Sequence, residues 1–523
     1  MDISKEKRDK LVLPRNIRRI ITSHFFITFI ICLLQILWVL AFLTKLSRYG
    51  FYANLVMTII SVLVTLSLVN KWENPAYKLA WVIPILLFPA FGGLLYIFYG
   101  NKRPTKKIRH RLSILHEIAK AQTIQDSCVL EELKYDNPVV YNQAYYITHS
   151  GGYPIWKNTD TRYFSDGEEY YSSLLIDLRN AKHYIFMEFF IIEPGFMWNQ
   201  ILDILRMKVE EGVKVRVIYD GIGCIVKVPP KYYADLEQYG IECVTFNPFR
   251  PIFSVAVSTR DHRKIVSIDG TIGYAGGINL SDEYVNLIQP YGYWKDAGIR
   301  LEGAGVWSMT TMFLEMWNLI RVSEHDFSIY LPDRALKNNQ LTKGYVQPYG
   351  DSPLDNETVG ENIYLNIINS AVNYVYIMTP YLVVDNELMT SLTLAAKRGV
   401  DVRIIVPGIP DKKMVYLLTQ AYFEKLHQEG IKIYQYTPGF IHSKCLVCDD
   451  KIATVGSVNF DFRSLYLHFE NGVYLYNTDT VQAIKEDAVQ TFKISKFVTD
   501  DDLKSNIGMR LIQSLLRLFA PLL

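Results

Sequence analysis

The chain has 523 residues, enough for several domains and an ample buried core. Lys and Arg number 55 against 53 Asp and Glu, a balance that argues against a dedicated nucleic-acid binder. Hydrophobic residues make up 50% of the chain and mean hydropathy is +0.07, high for a purely soluble protein, so membrane spans are expected.

Three apolar runs come first, at residues 25–43, 51–69 and 79–99, and none carries a charge. Each is near the ~20 residues a helix needs to cross the bilayer core. No small-residue cleavage site marks a removable signal peptide. Basic clusters flank the set, Lys5 to Arg19 before it and Lys102 to Arg111 after it. The positive-inside rule wants both on the cytoplasmic face, which three full crossings forbid. The third run contains Pro84, Pro89, Gly92 and Gly93, so it is expected to be kinked or re-entrant. The expectation is a multi-pass membrane protein whose region beyond the third run lies on the cytoplasmic side. The second basic cluster reads either as a topology signal or as a site for anionic headgroups, at about 1 kcal/mol per charge.

A 101–150 segment follows as a polar connecting helix, and beyond it the chain repeats itself. KVEEGVKVRVIYDGIG (208–223) aligns with AAKRGVDVRIIVPGIP (395–410), and HRKIVSIDGTIGYAGGIN (262–279) with HSKCLVCDDKIATVGSVN (442–459). The first copy carries a longer loop between Pro248 and His262. Each copy alternates strands with helices and ends in a hairpin, which predicts two α/β domains at 151–335 and 336–523, related by a pseudo-twofold. Residues 323–360 are polar and irregular, as a linker would be.

The hairpins carry the chemistry. His262 and Lys264 stand two apart on a predicted strand and share a face. Asp269-Gly270 signals the turn, and the returning strand brings Gly276, Gly277 and Asn279 back. His442, Lys444, Asp449, Gly456, Ser457 and Asn459 take the same places in the second copy. Small residues before each Asn would let a ligand approach the backbone. Two HxKxxxxD motifs, each followed by G-[GS]-x-N, put chance below ~1%.

These residue types suit a phosphodiester. Lys264, Lys444, Asn279 and Asn459 would hold its non-bridging oxygens, one histidine would attack phosphorus, and the other would handle protons. Asp296 and Glu470 are candidates to fix the imidazole tautomers. The six cysteines form no disulfide framework, and Cys445 and Cys448 would face opposite sides of a strand, so no metal site is expected. Asp220-Gly221-Ile222-Gly223 lacks the third glycine of a dinucleotide fingerprint and reads as a turn. The remaining histidines, His468 among them, read as ordinary surface or core residues.

At the hairpins the sequence resembles the phospholipase D superfamily, marked by a duplicated HKD motif. Within it, the chain is similar to bacterial cardiolipin synthases, through ENPAYKLAWVIPILLFPAFGGLLYIFYG (73–100), DHRKIVSIDGTIGYAGGINLSDEY (261–284), YWKDAGIRLEGAGVW (293–307), GFIHSKCLVCDD (439–450) and VGSVNFDFRS (455–464). The resemblance implies two domains sharing one active site, with His262, Lys264, Asp269, His442, Lys444 and Asp449 as the catalytic set. It implies exchange between two phosphatidylglycerol molecules through a phosphatidyl-histidine, giving cardiolipin and glycerol without cofactor. By analogy His262 is the nucleophile and His442 the acid and base, although the near-symmetric repeat leaves the reverse open. Asp261 departs from the family, which usually has Asn before the first histidine. The implied partners are phosphatidylglycerol, other anionic phospholipids and the bilayer, with no nucleic acid; homo-oligomerisation is left open. A phospholipase D, a transferase using another acceptor and, further off, a nuclease remain the alternatives. The C-terminal GMRLIQSLLRLFAPLL is amphipathic and either lies in the membrane interface or caps the core.

Overall fold

The computed structural model describes residues 47–88, 92, 93, 96, 100, 106–247, 259–324, 326–332, 342–355 and 357–522. The apolar run 25–43, both arms of basic residues up to Arg103 and most of the long loop before His262 lie outside the described residues. The chain forms two compact units, one of residues 1–103 with 249–257 and one of the remainder.

In the first unit, run 51–69 lies within the helix Ser47–Val69, and run 79–99 begins on the helix Pro75–Leu87. Asn74 caps the second helix by accepting from Ala76 N–H, and Pro84 interrupts its ladder. Leu55, Ile59, Leu63 and Leu66 on the first helix are exposed. Among the described residues no helix is long and apolar enough to cross a membrane.

The second unit begins with three helices, Lys106–Ala121, Ser127–Asp136 and Pro138–His149, where the sequence suggested one. Asp126 and Asn137 break the run because each cap side chain takes the free N–H groups of the helix that follows. Two sheets follow. The first is built from β1 (Thr159–Phe164), β2 (Tyr184–Phe189), β3 (Lys214–Asp220), β4 (Glu242–Phe246), β6 (Lys264–Ile268), β7 (Ile272–Gly276) and β9 (Gly298–Gly303). The short strands β5 (Arg260–Asp261) and β8 (Tyr293–Lys295) lie off it.

The second sheet uses β10 (Tyr345–Asp351), β11 (Tyr374–Met378), β13 (Asp401–Pro407), β14 (Lys432–Tyr436), β16 (Cys445–Cys448), β17 (Ile452–Gly456), β19 (His468–Tyr476) and β20 (Ser495–Phe497). Beside it lie β12 (Leu382–Val383), β15 (Gly439–Ile441) and β18 (Phe460–Asp461). The orders match strand for strand: β1-β9-β7-β6-β2-β3-β4 against β10-β19-β17-β16-β11-β13-β14, with β20 added at the edge. The duplicated sequence is therefore a duplicated fold. β10 falls inside the segment expected as linker, yet all seven of its residues are buried and it pairs with β19 along its length.

The sheets meet through one apolar cluster that draws Ile265, Ala275, Ile299 and Leu301 from the first and Val447, Ala453, Val455 and Val473 from the second. Val266 and Ile268 join a separate cluster on the opposite face of β6, as strand alternation requires. Strands buried on both faces hold the two histidine motifs at a common seam.

Candidate active site

Each motif enters the seam by pairing with the other repeat. β5 runs parallel to β19, placing Arg260 opposite His468 and Asp261 opposite Phe469. β15 runs parallel to β8, placing Ile441 opposite Lys295. Accordingly His262 N–H donates to Phe469 O at 2.9 Å, and His442 N–H donates to Lys295 O at 2.7 Å. The residue after each acceptor is a carboxylate.

Those carboxylates hold the imidazoles. His262 Nδ1 lies 2.9 and 3.0 Å from the two oxygens of Glu470, and His442 Nδ1 lies 2.6 Å from Asp296 Oδ2. Ser464 Oγ donates to Glu470 at 2.7 Å and Ser457 Oγ donates to its other oxygen, so donors surround this carboxylate. With Nδ1–H given to Glu470, His262 Nε2 carries the lone pair. His442 Nδ1 has a second neighbour, Lys444 Nζ at 2.7 Å, so its tautomer is less firmly held.

The small residues of G-[GS]-x-N serve this arrangement rather than a ligand. A Cβ on Gly277 would stand 2.2 Å from Asp296 Oδ1, and Ser457 occupies the same position against Glu470. Gly276 and Gly456 admit the backbone of the adjoining strand, where a Cβ would meet Ala297 O or Asn471 O at 2.4 Å.

Lys264 and Lys444 are buried, each donating Nζ to the carbonyl of its own histidine. Burial lowers Lys264 to about 7, with Lys444 adding to the shift, and lowers Lys444 to about 8. Burial and Lys444 lower His442 to about 4 against the pull of Asp296. Burial, then Lys264, hold His262 well below the usual histidine range. At neutral pH the seam thus holds neutral imidazoles, a half-charged Lys264 and a largely charged Lys444, a field that favours an anion.

Asp269 and Asp449 stand elsewhere. They sit at the hairpin turns with φ of +51° and +52°, at the far ends of β6 and β16, on the order of 20 Å of extended chain from the histidines. Asp269 accepts from Lys182, His183 and Tyr184 N–H at 2.7–2.8 Å, and Asp449 from Val372, Asn373 and Tyr374 N–H at the same distances. The sequence motif thus joins two site residues to one turn clamp.

The asparagines also differ. Asn279 accepts from Ile191 N–H and donates to Tyr284 Oη at 2.8 Å. Asn459 is buried, and its Oδ1 has no hydrogen-bond partner among the described residues. Phe190 packs on His262, while Tyr284, Trp294 and Phe440 surround His442.

Sequence reasoning missed Asp220 and His468. Asp220 shapes its own turn by accepting from Ile222 and Gly223 N–H, and its second oxygen takes Asp261 N–H at 3.1 Å, fixing the strand that delivers His262. Asp261 itself is fully buried against Arg263, which also pairs with Glu188 at 2.6 Å. His468 could have been found from its spacing: two residues before Glu470 on one strand, it shares that residue's face.

The chain matches the family model described as cardiolipin synthase, PLD-like domain, at residues 174–290 and 364–491, and one described as phospholipase D-nuclease N-terminal at 56–101. It is 33% identical to a cardiolipin synthase of Alkalihalophilus pseudofirmus over 91% of this chain and 96% of that one. Cardiolipin synthase 2 of Bacillus cereus is 33% identical, with 86% and 88% covered. An uncharacterized protein of Streptococcus mutans is 44% identical over 88% of this chain and 99% of its own. Among solved structures, a phosphatidylserine synthase of Haemophilus influenzae is similar in fold, with TM-score 0.52, 16% identity, and coverage of 69% of this chain and 93% of that one.

Proposed function

The chain belongs to the cardiolipin synthase family of phospholipase D-like proteins, and from that premise we propose how its two histidines divide the transfer of a phosphatidyl group. The enzyme is a phosphatidyltransferase. The observation that carries the assignment is the pair of crossed contacts, His262 with Glu470 and His442 with Asp296.

His262 Nε2 attacks the phosphorus of one phosphatidylglycerol, forming a P–N bond as the P–O bond to glycerol breaks. His442 supplies the proton that glycerol takes away, then removes the proton of the incoming hydroxyl of a second phosphatidylglycerol. That oxygen displaces His262 and yields cardiolipin. A bound phosphodiester places negative charge beside His442 and raises its proton affinity from the empty-site value, readying it as acid. Lys264, Lys444 and Asn459 face the non-bridging oxygens. His262 is assigned as nucleophile because its Nδ1 meets one carboxylate alone, whereas Lys444 contests the Nδ1 of His442. One phosphodiester replaces another, so no nucleotide need drive the reaction.

The N-terminal region anchors this site at a bacterial membrane, with the catalytic region on the cytoplasmic side. The uncharged run 25–43 and the exposed Leu55, Ile59, Leu63 and Leu66 support that reading.

The test is full-length protein with phosphatidylglycerol vesicles, without nucleotide. Cardiolipin and free glycerol should appear in equal amounts. Phosphatidic acid as the sole lipid product would overturn the transferase reading in favour of hydrolysis.

A further inference from the structure

The transfer described above leaves one histidine beside the site without a part. The side chain of His468 is nine-tenths buried, and its ring lies 5.6 Å from that of His262. Its Nδ1 stands 3.9 Å from Glu470 Oε1, too far for a hydrogen bond, and neither ring nitrogen has a hydrogen-bond partner among the described residues. Buried polar atoms in this condition call for an occupant that the empty protein does not provide.

The surroundings say what kind. Arg260 is the register partner of His468 across β5 and β19. Arg463 lies on the short helix Phe462–Tyr466 that leads into β19, and Lys412 follows β13. Burial, then the charges of Arg463, Arg260, Lys264 and Lys412, hold His468 well below the usual histidine range, so it presents a neutral ring with one N–H to give. The acids on this side are already engaged: Asp220 accepts from Ile222, Gly223 and Asp261 N–H, and Asp461 caps the helix bearing Arg463, while Arg260 donates to Asn247 O at 3.3 Å and lies 3.7 Å from Asp220.

A metal is the rival occupant, since His262, His468 and Glu470 bring ligand atoms within 4.8 Å of one another. Glu470 is already accepting from His262, Ser457 and Ser464, and the encircling cations oppose a further positive charge. An oxyanion fits both the charge and the donors.

We propose that His468, Arg260 and Arg463 form a second phosphate subsite, which binds the phosphodiester of the acceptor lipid and presents its terminal hydroxyl to the phosphatidyl group on His262. The inference rests on the transferase reading, because hydrolysis needs room for one phosphate only.

Partition of a common intermediate isolates the acceptor. Full-length protein with phosphatidylglycerol vesicles and added ethanol can pass its phosphatidyl group either to a second phosphatidylglycerol or to ethanol, which has no phosphate. The donor is the same, so the ratio of cardiolipin to phosphatidylethanol reports acceptor binding alone. Arg463→Gln should lower that ratio about tenfold, and Arg463→Lys should restore most of it. Arg463 is exposed, so the substitution spares the core. His468→Asn should lower the ratio as well. An unchanged ratio in Arg463→Gln and His468→Asn overturns the subsite while leaving the transferase reading intact. Wild-type protein that makes phosphatidylethanol and phosphatidic acid but no cardiolipin overturns phosphatidylglycerol as the acceptor, and the subsite with it.

Discussion

The Nδ1 of His262 lies 2.9 Å from a carboxylate oxygen of Glu470, 208 residues away in the other repeat. His442 repays the exchange by pairing with Asp296, so neither half of the molecule contains a complete histidine–carboxylate pair. The cause is the crossing of β5 onto β19 and of β15 onto β8, which sets each histidine beside the residue preceding the other repeat's carboxylate. Glu470→Gln keeps the shape but can no longer hold Nδ1–H as an anion. It should lower kcat by about 10²–10⁴-fold, and Asp296→Asn should act similarly. Cardiolipin formation at saturating lipid measures both; a loss under about threefold in either would remove that carboxylate from the mechanism.

Assigning His262 as nucleophile predicts which variant traps an intermediate. A phosphodiester with an acidic phenol as leaving group needs little protonation. His442→Ala should therefore still react with it once and retain the phosphoryl group on His262, because the base for the second half is gone. His262→Ala should show no label on the protein. Mass spectrometry of peptic fragments distinguishes them, and label on His442 would reverse the roles.

Much of this was legible in the sequence, because a repeat written twice dictates one strand order twice. The histidine, lysine and asparagine positions were fixed by strand alternation and hairpin return. What the sequence hid were relations that spacing does not encode. The exchange of Glu470 and Asp296 depends on how two sheets meet, and each carboxylate lies nearer in sequence to the histidine it does not serve. β10 read as linker because the stretch around it is polar and irregular and its pairing with β19, more than a hundred residues on, is not written in local spacing. The motif aspartates shared a signature with the histidines, although their place at the turn, seven residues on, already set them at the other end of the strand.

That displacement gives a third expectation. Asp269 holds the start of β2 through three backbone N–H groups, and Asp449 does the same for β11. Hydrogen bonds to a charged acceptor contribute about 1.5–3 kcal/mol each, discounted here because the turn is partly exposed. Asp269→Ala should therefore cost about 2–4 kcal/mol of stability while the folded fraction keeps its turnover. Thermal melts alongside active-site titration separate the two. A full loss of kcat at unchanged Tm would restore Asp269 to the chemistry.

Anion binding should be linked to protons. Lys264 and Lys444 are lowered to about 7 and about 8, and a bound anion favours their charged forms. Above pH 7 the anion must bring a proton with it, so affinity falls as pH rises. Sulfate keeps a constant charge over this range and suits the measurement. Its inhibition constant should weaken about tenfold per pH unit near pH 7.5, and the slope should steepen toward about a hundredfold per unit at pH 9 as a second proton becomes linked. Lys264→Gln should flatten that slope, and a flat profile in the wild type would mean that the lysines are already charged when empty.

Acid sensitivity follows from His442. The unfolded chain protonates a histidine near 6.5, whereas the folded protein holds His442 neutral down to about 4. Between those values the unfolded state binds the extra proton, so stability is whole above 6.5 and declines as pH falls toward 4. The group's share is about 3 kcal/mol at the lower limit. His262 and His468 are shifted in the same direction, so the decline should be steeper than one histidine explains. His442→Gln cannot take up a proton, and its apparent Tm should therefore fall less than that of the wild type between pH 7 and pH 5. Parallel Tm profiles for the two proteins would show that the buried imidazole is charged in the folded state, which would also recast His442 as an acid ready before substrate arrives.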